Sequence, residues 1–204
     1  YIRELLAALL PDLRPDERLH VILPEAMEIP CLDHTGVTIH RVDADLTTFR
    51  SHWQTLRLAR SIRPQVIHAP YLLTPLRVPG KLVLTVHDTI PLSHPQYSSL
   101  ATRLFWRLAG RRALRHCRKL IGVSDDALKT CARFFGTRAV RRSVVIRHGV
   151  SPAFRPQPKE AVEAVRRTYS LPERFLLYVG SDRPHKNVTT LLHALALMDP
   201  TASM

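Results

Sequence analysis

A doubly wound, mostly parallel α/β sheet is the fold class this sequence predicts, on three observations. Short apolar runs alternate along the chain with stretches of helical periodicity, the pattern of successive βα units. One run, Phe175–Val179, carries no charge and is followed by Gly180, a polar loop and an amphipathic stretch, as for a central parallel strand feeding a helix. Hydrophobic content of 45% with aromatic content of 6% suffices for a core on both faces of a sheet.

The elements follow in order. Ile2–Leu10 starts in mid-helix, with Ile2, Leu5, Leu6, Leu9 and Leu10 on one side. Because no strand precedes it, the expectation is a chain truncated at its N-terminus. Leu19–Leu23 and Val37–Val42 are predicted strands, joined by a Pro-containing loop over Pro24–Gly36. Thr47–Arg63 is predicted helical with Trp53, Leu56 and Ile62 inward, and Pro64 stops it. Val66–His68 and Lys81–His87 are the next strands. Ser98–Cys117 is a long amphipathic helix, in which Leu100, Leu104, Phe105 and Leu108 are expected to pack inward. Leu120–Val123 is a strand, Ser124 and Asp125 cap a helix to Phe135, and Gly136 ends it. Ser143–Ile146 is the last strand of a first domain, predicted over residues 1–155.

Three prolines around a short charged helix, Glu160–Tyr169, mark residues 156–172 as a linker. Residues 173–204 then open a second domain with a single strand and helix. One βα unit cannot bury its own core, so truncation is expected at the C-terminus too.

Charge narrows the classes of partner. The net charge is +13, and no acidic residue lies between Asp88 and Asp125 or between Asp126 and Glu160. Such an imbalance favours anionic partners. The bland alternative is a generally Arg-rich composition, since 25 of the 30 basic residues are arginine. Arg103, Arg107, Arg111 and Arg115 form a stripe at four-residue spacing, with Phe105 and Trp106 beside it. That is the composition of a helix resting on an anionic membrane, or simply of a solvated face. No groove-reading motif favours nucleic acid. Cys31, Cys117 and Cys131 make no metal or CxxC spacing, and no run has the length of a membrane span. The expectation is a cytoplasmic chain, and on the membrane reading of the stripe one attached peripherally at the inner membrane face.

Ligands of doubly wound sheets bind beyond the carboxyl ends of the strands, which directs attention to His68, His87-Asp88 and Gly149. The pair His87-Asp88 has two readings. Asp88 caps the following loop, or the pair belongs to an active site whose His meets a substrate hydroxyl or a developing charge. In the second domain, Gly180, Ser181, Arg183, His185, Lys186 and Asn187 lie between strand and helix. Asn187 is a reasonable N-cap, and the helix N-terminus with two cations suits a phosphate. A solvated βα turn is the alternative.

Four stretches in order, KLVLTVHDTIPL, GVSDDALKTCARFFG, VVIRHGVSPAFRP and YVGSDRPHKNVTTLLHA, resemble the retaining GT-B glycosyltransferases of family 4. The resemblance implies a Rossmann-like GT-B architecture and transfer of a sugar from a nucleotide diphosphate donor to a hydroxyl acceptor with retention. In that family the His of V-x-H-D faces the donor sugar, so His87, with Asp88, is the catalytic candidate. Ser124 and Gly149 fall at cleft-lining positions.

Lys186 matches the family's Lys that faces the donor diphosphate. Ser181 stands where the commonest pattern has Arg, as in some mannosyltransferase-like members that keep a cation beside the Lys, and Arg183 supplies that cation. Gly180, Ser181, Arg183, Lys186 and Asn187 are thus the donor-binding candidates. His148 replaces a usual Asn and Ser151 a usual Asp.

The family's acidic pair lies further along the second domain than this sequence reaches, so the fragment alone is expected to be inactive. No metal or other cofactor is expected. A mannose-like hexose and a saccharide or lipid-linked acceptor, in polysaccharide or glycolipid synthesis, are what the resemblance favours. A sugar-nucleotide epimerase of the same fold, or a basic RNA- or membrane-binding module, is the alternative.

Overall fold

Leu84 and Leu120 are register partners on neighbouring parallel strands, and both are fully buried. They sit at the centre of a four-stranded sheet in the order β3 (Val66–Ala69), β4 (Lys81–Val86), β5 (Cys117–Gly122) and β6 (Ser143–Val145). Every neighbouring pair is parallel. A second, two-stranded sheet pairs β1 (Leu19–Pro24) with β2 (Val37–Val42), also in parallel. The α/β class with parallel strands is therefore as the sequence predicts, though among the described residues the ladders form two sheets rather than one.

The computed structural model describes residues 1–25, 27, 29, 35–42, 49–72 and 78–198, with backbone only at Phe49 and Ser51. Most of the loop predicted over Pro24–Gly36, with Cys31, and the start of the helix predicted from Thr47 lie outside the described residues. The chain divides into two compact units, Tyr1–Gly149 and Val150–Met204.

In the first unit, α1 (Ile2–Leu9) and the turn Leu10–Asp12 bury Leu6 and Leu10 against Val21 and Leu23 of β1. The larger core gathers Leu82, Leu84 and Val86 of β4, Leu120 of β5, and Trp106, Ala113 and Leu114 of a covering helix. Each large side chain buried this completely contributes about 1.5–3 kcal/mol by removal from water. The sharp entry into β4 depends on Gly80, whose φ is +82°. A Cβ built there would lie 2.2 Å from the Pro64 carbonyl oxygen, so a side chain is excluded by both conformation and space.

Helix α2 (Phe49–Ile62) buries Ala59, while Trp53, expected inward, is exposed with the Arg57 guanidinium 5.7 Å from its ring. A short helix α3 (Ile90–Ser93) follows β4, and then α4 (Leu100–His116). The buried face of α4 reverses the sequence expectation. Trp106, Ala109, Gly110, Ala113 and Leu114 point inward, whereas Leu100, Leu104 and Leu108 are 72%, 56% and 62% exposed and Phe105 is exposed beside them. Small residues win this face because they permit close approach. A Cβ at Gly110 would come within 2.7 Å of the Phe135 ring. Leucine periodicity alone hid that, since arginines and leucines share the outer side.

Helix α5 (Asp125–Phe135) begins as predicted, with the Ser124 hydroxyl accepting from the Ala127 N–H at 3.0 Å. It stops at Gly136, whose φ is +89°.

The second unit holds α6 (Lys159–Thr168) and α7 (Val188–Ala196). Phe175–Val179, predicted as a buried central strand, is neither paired nor buried. Among the described residues of this unit no strand lies beside it to complete a ladder, and an apolar run has no sheet to join.

Candidate active site

The carboxyl ends of β3 to β6 share one edge of the four-stranded sheet, and the residues that follow them form the candidate site. The edge is ordered by backbone pairing beyond the strands. The Val123 N–H donates to the Val86 carbonyl at 3.3 Å, and the Ile146 N–H to the Gly122 carbonyl at 2.9 Å. His87, Ser124 and His148 thereby follow β4, β5 and β6 along this edge.

His87 is held in place from two sides. Its Nε2 lies 3.1 Å from the Pro70 carbonyl, in the segment after β3. A carbonyl only accepts, so Nε2 carries the proton and the neutral ring keeps a lone pair on Nδ1. The His148 imidazole stacks on it at 5.3 Å between centroids, with 21° between planes. The Tyr1 ring stands edge-on to both, at 4.8 Å and 4.9 Å. Burial, then the neighbouring His148, push the His87 pKa down, while the Pro70 hydrogen bond and Asp88 act against them. The ring is therefore a neutral acceptor at physiological pH.

Asp88 does something different. Its Oδ1 accepts from the Ile90 N–H at 3.0 Å, closing the turn that starts α3. The carboxylate fixes the loop behind His87. Thr89, next in the loop, is buried. His68, the other strand-end histidine, bonds through Nε2 to the buried Thr85 hydroxyl at 2.8 Å, and burial lowers its pKa. It is thus tied to the neighbouring strand.

The Ser124 hydroxyl accepts from the first turn of α5, as described above, which gives this side chain a capping role at the edge. Gly149 is exposed, with open space where a Cβ would stand. Asp125 pairs with Arg147 at 2.8 Å, tying the start of α5 to the segment after β6. The sequence pointed to His87 but not to its ring partners. His148 was visible only as a departure from the resembled pattern, and nothing marked Tyr1.

In the second unit, Gly180–Asn187 forms a self-contained loop. The Tyr178 hydroxyl donates to the Ser181 carbonyl at 3.1 Å, and a Cβ on Gly180 would meet that hydroxyl at 2.6 Å. The ring thus folds over the glycine. Pro184–Lys186 makes one 3-10 turn, and the Lys186 N–H donates to the Arg183 carbonyl at 2.8 Å. This turn sets Arg183 and Lys186 on one loop, both exposed and in no ion pair among the described residues.

Asn187 occupies the N-cap position of α7 in the left-handed region, φ 53° and ψ 38°. Its Oδ1 accepts from the Thr190 hydroxyl at 2.7 Å rather than from a backbone N–H. The first-turn N–H groups of α7 are accordingly left without a side-chain cap.

The sequence pattern of Glycosyltransferase Family 4 matches residues 8–154. The chain belongs to glycosyltransferase family 4. Glycosyl transfer between a nucleotide-sugar donor and an acceptor is the activity that this membership carries. The matched segment contains the whole strand-end edge, with His87, Asp88, Ser124, His148 and Gly149. No curated protein matches the chain. Among the described residues, no helix is long and apolar enough to cross a membrane.

Proposed function

We propose that this family 4 glycosyltransferase moves a hexose, mannose-like in preference, from a nucleotide diphosphate sugar to a hydroxyl acceptor with retention, in polysaccharide or glycolipid synthesis. The observation that carries the reading is His87, a neutral ring fixed through Nε2 at a strand's carboxyl end. Its Nδ1 lone pair is suited to accept a hydrogen from a donor-sugar hydroxyl and so to orient the anomeric carbon. Asp88 acts as a positioning residue through the Ile90 turn. Ser124 and Gly149, which follow β5 and β6 at the same edge, are the further residues suited to line the site.

Departure of the nucleotide diphosphate leaves negative charge on its phosphate oxygens. Lys186 and Arg183, with the uncapped N–H groups of α7 beyond Gly180, Ser181 and Asn187, are the groups suited to stabilise it. Such a mechanism needs no metal ion.

Calorimetric titration of the full-length protein with GDP-, UDP- and ADP-sugars tests this. One donor should bind saturably, and Lys186→Ala should weaken it by about 10- to 100-fold, the loss of a charge-assisted hydrogen bond. Failure of every donor to bind a folded protein would overturn the reading. Product analysis separates transfer from epimerisation, which needs no acceptor.

A second observation favours work at a membrane surface. Leu100, Leu104, Leu108 and Phe105 are exposed on the same outer side of α4 as Arg107, Arg111 and Arg115, with Arg103 at its border. Apolar side chains beside a cationic row suit a helix lying in the interface of an anionic membrane, at its cytoplasmic face. Co-sedimentation with phosphatidylglycerol vesicles should be lost in Leu104→Glu/Leu108→Glu. Unchanged sedimentation would sink the membrane reading.

A further inference from the structure

Five arginines from consecutive segments of the chain converge on one cavity at the opposite edge of the four-stranded sheet. The cavity, of about 750 Å³, is lined by Arg111 and Arg115 of α4, Arg138 of the turn after α5, and Arg141 and Arg142 just ahead of β6. Buried Leu114 and Cys117 supply apolar wall. Cys117 opens β5, so the cavity lies at the amino ends of the strands. The six residues of β5 separate it from the His87 edge by about 17 Å at the usual rise of roughly 3.3 Å per residue.

No carboxylate lines the cavity, and among the described residues none of the five guanidiniums is in an ion pair. The only acids between Asp88 and Glu160 are Asp125 and Asp126, in the first turn of α5, while the cavity takes residues from that helix's far end. All five residues are exposed, so solvent screens their charges in part, yet like charges gathered in one concavity still repel one another. Arg115, in the last turn of α4, complements the partial negative charge of that helix end. That charge, about half an elementary unit, is too small to balance five cations. A general richness in arginine does not explain their convergence on one concavity without a counter-charge.

Guanidinium forks match phosphate oxygens in bidentate fashion, and the volume is that of a small-molecule site. We propose that this cavity is a binding site for a ligand carrying two or more phosphate groups, gripped by Arg138, Arg141 and Arg142 with Arg111 and Arg115. A soluble oligophosphate and a phosphorylated lipid headgroup share this chemistry. The cavity takes its lining from the first unit and no residue from the donor loop, and failure of this proposal would leave the transfer reading untouched.

Calorimetric titration with inorganic tripolyphosphate at near-physiological salt tests it on the full-length protein. Saturable binding is expected, weakened about tenfold or more in Arg138→Gln/Arg142→Gln. The same change of net charge elsewhere, Arg60→Gln/Arg107→Gln, and the donor-loop variant Lys186→Ala should each leave it nearly unchanged. Equal weakening by both arginine pairs would show diffuse surface charge only and overturn the proposal. So would absent binding, or loss in Lys186→Ala alone. The sources separate in a second arm, co-sedimentation with phosphatidylcholine vesicles with and without phosphatidic acid. Displacement from the acidic vesicles by tripolyphosphate assigns the cavity to a headgroup, and tripolyphosphate binding without such displacement assigns it to a soluble ligand.

Discussion

The imidazoles of His87 and His148 lie stacked 5.3 Å apart, although β5 separates the strands that they follow. The sheet explains how. Parallel pairing of β4 with β5 and of β5 with β6 brings three chain segments out at one edge, and two of them meet over the third. Beside burial, the neighbouring His148 works against a positive charge on His87 and favours its neutral ring.

Acid should therefore destabilise the first unit. Burial lowers the pKa of His40, His52, His68 and His87 from 6.5, with His20 adding to the effect at His40 and His148 at His87. Each group binds its proton less readily when folded, so the unfolded chain takes up more protons as pH falls. Their stabilisation is complete above the unfolded value and is lost as pH drops through the folded ones. Urea unfolding midpoints should fall between about pH 7.5 and about pH 5.5. A midpoint that stays flat or rises over that interval would contradict the burial of these rings.

The orientation of α4 makes opposite predictions for neighbouring residues. Trp106→Ala removes a buried ring packed in the larger core and should cost about 3–5 kcal/mol. Leu104→Ala, on the exposed side, should stay within about 0.5 kcal/mol. Denaturant titration of both variants decides it, and equal losses would mean the helix is turned the other way.

Gly80→Ala should be among the most damaging small changes. At φ +82° a side chain is strained, and the Pro64 carbonyl occupies its space, so a loss of about 3 kcal/mol or more is expected. A melting temperature unchanged from wild type would show that the turn into β4 is not as described.

Cys131 should be inert in the native protein. Burial, with a smaller contribution from Cys117, pushes its thiol up to about 12, leaving almost no thiolate. Iodoacetamide followed by peptide mapping should label Cys131 only after denaturation. Rapid native labelling would contradict its complete burial.

How much of this was legible in the sequence depends on what each feature needs. The strands of the four-stranded sheet, the Ser124 cap and the stop at Gly136 rest on local chemistry, and they lie within a residue or a few of expectation. The burying face of α4 was not legible, because the deciding feature is a contact between Gly110 and Phe135. Phe175–Val179 has strand composition but no ladder, since pairing is a property of neighbours and not of a run.

At the site, His87 was named through resemblance and position. Its partners Pro70 and His148 depend on strand order, and so did the arginine cavity, whose residues are separated in sequence by a helix and a strand.

The most direct test of the central claim is glycosyl transfer by the full-length protein at saturating donor, wild type against His87→Ala. A fall in kcat of about 10²-fold or more is expected with the melting temperature preserved, because the ring orients the reacting sugar. A folded variant with unchanged kcat would contradict it, and the strand-end edge would lose its claim to be the active site.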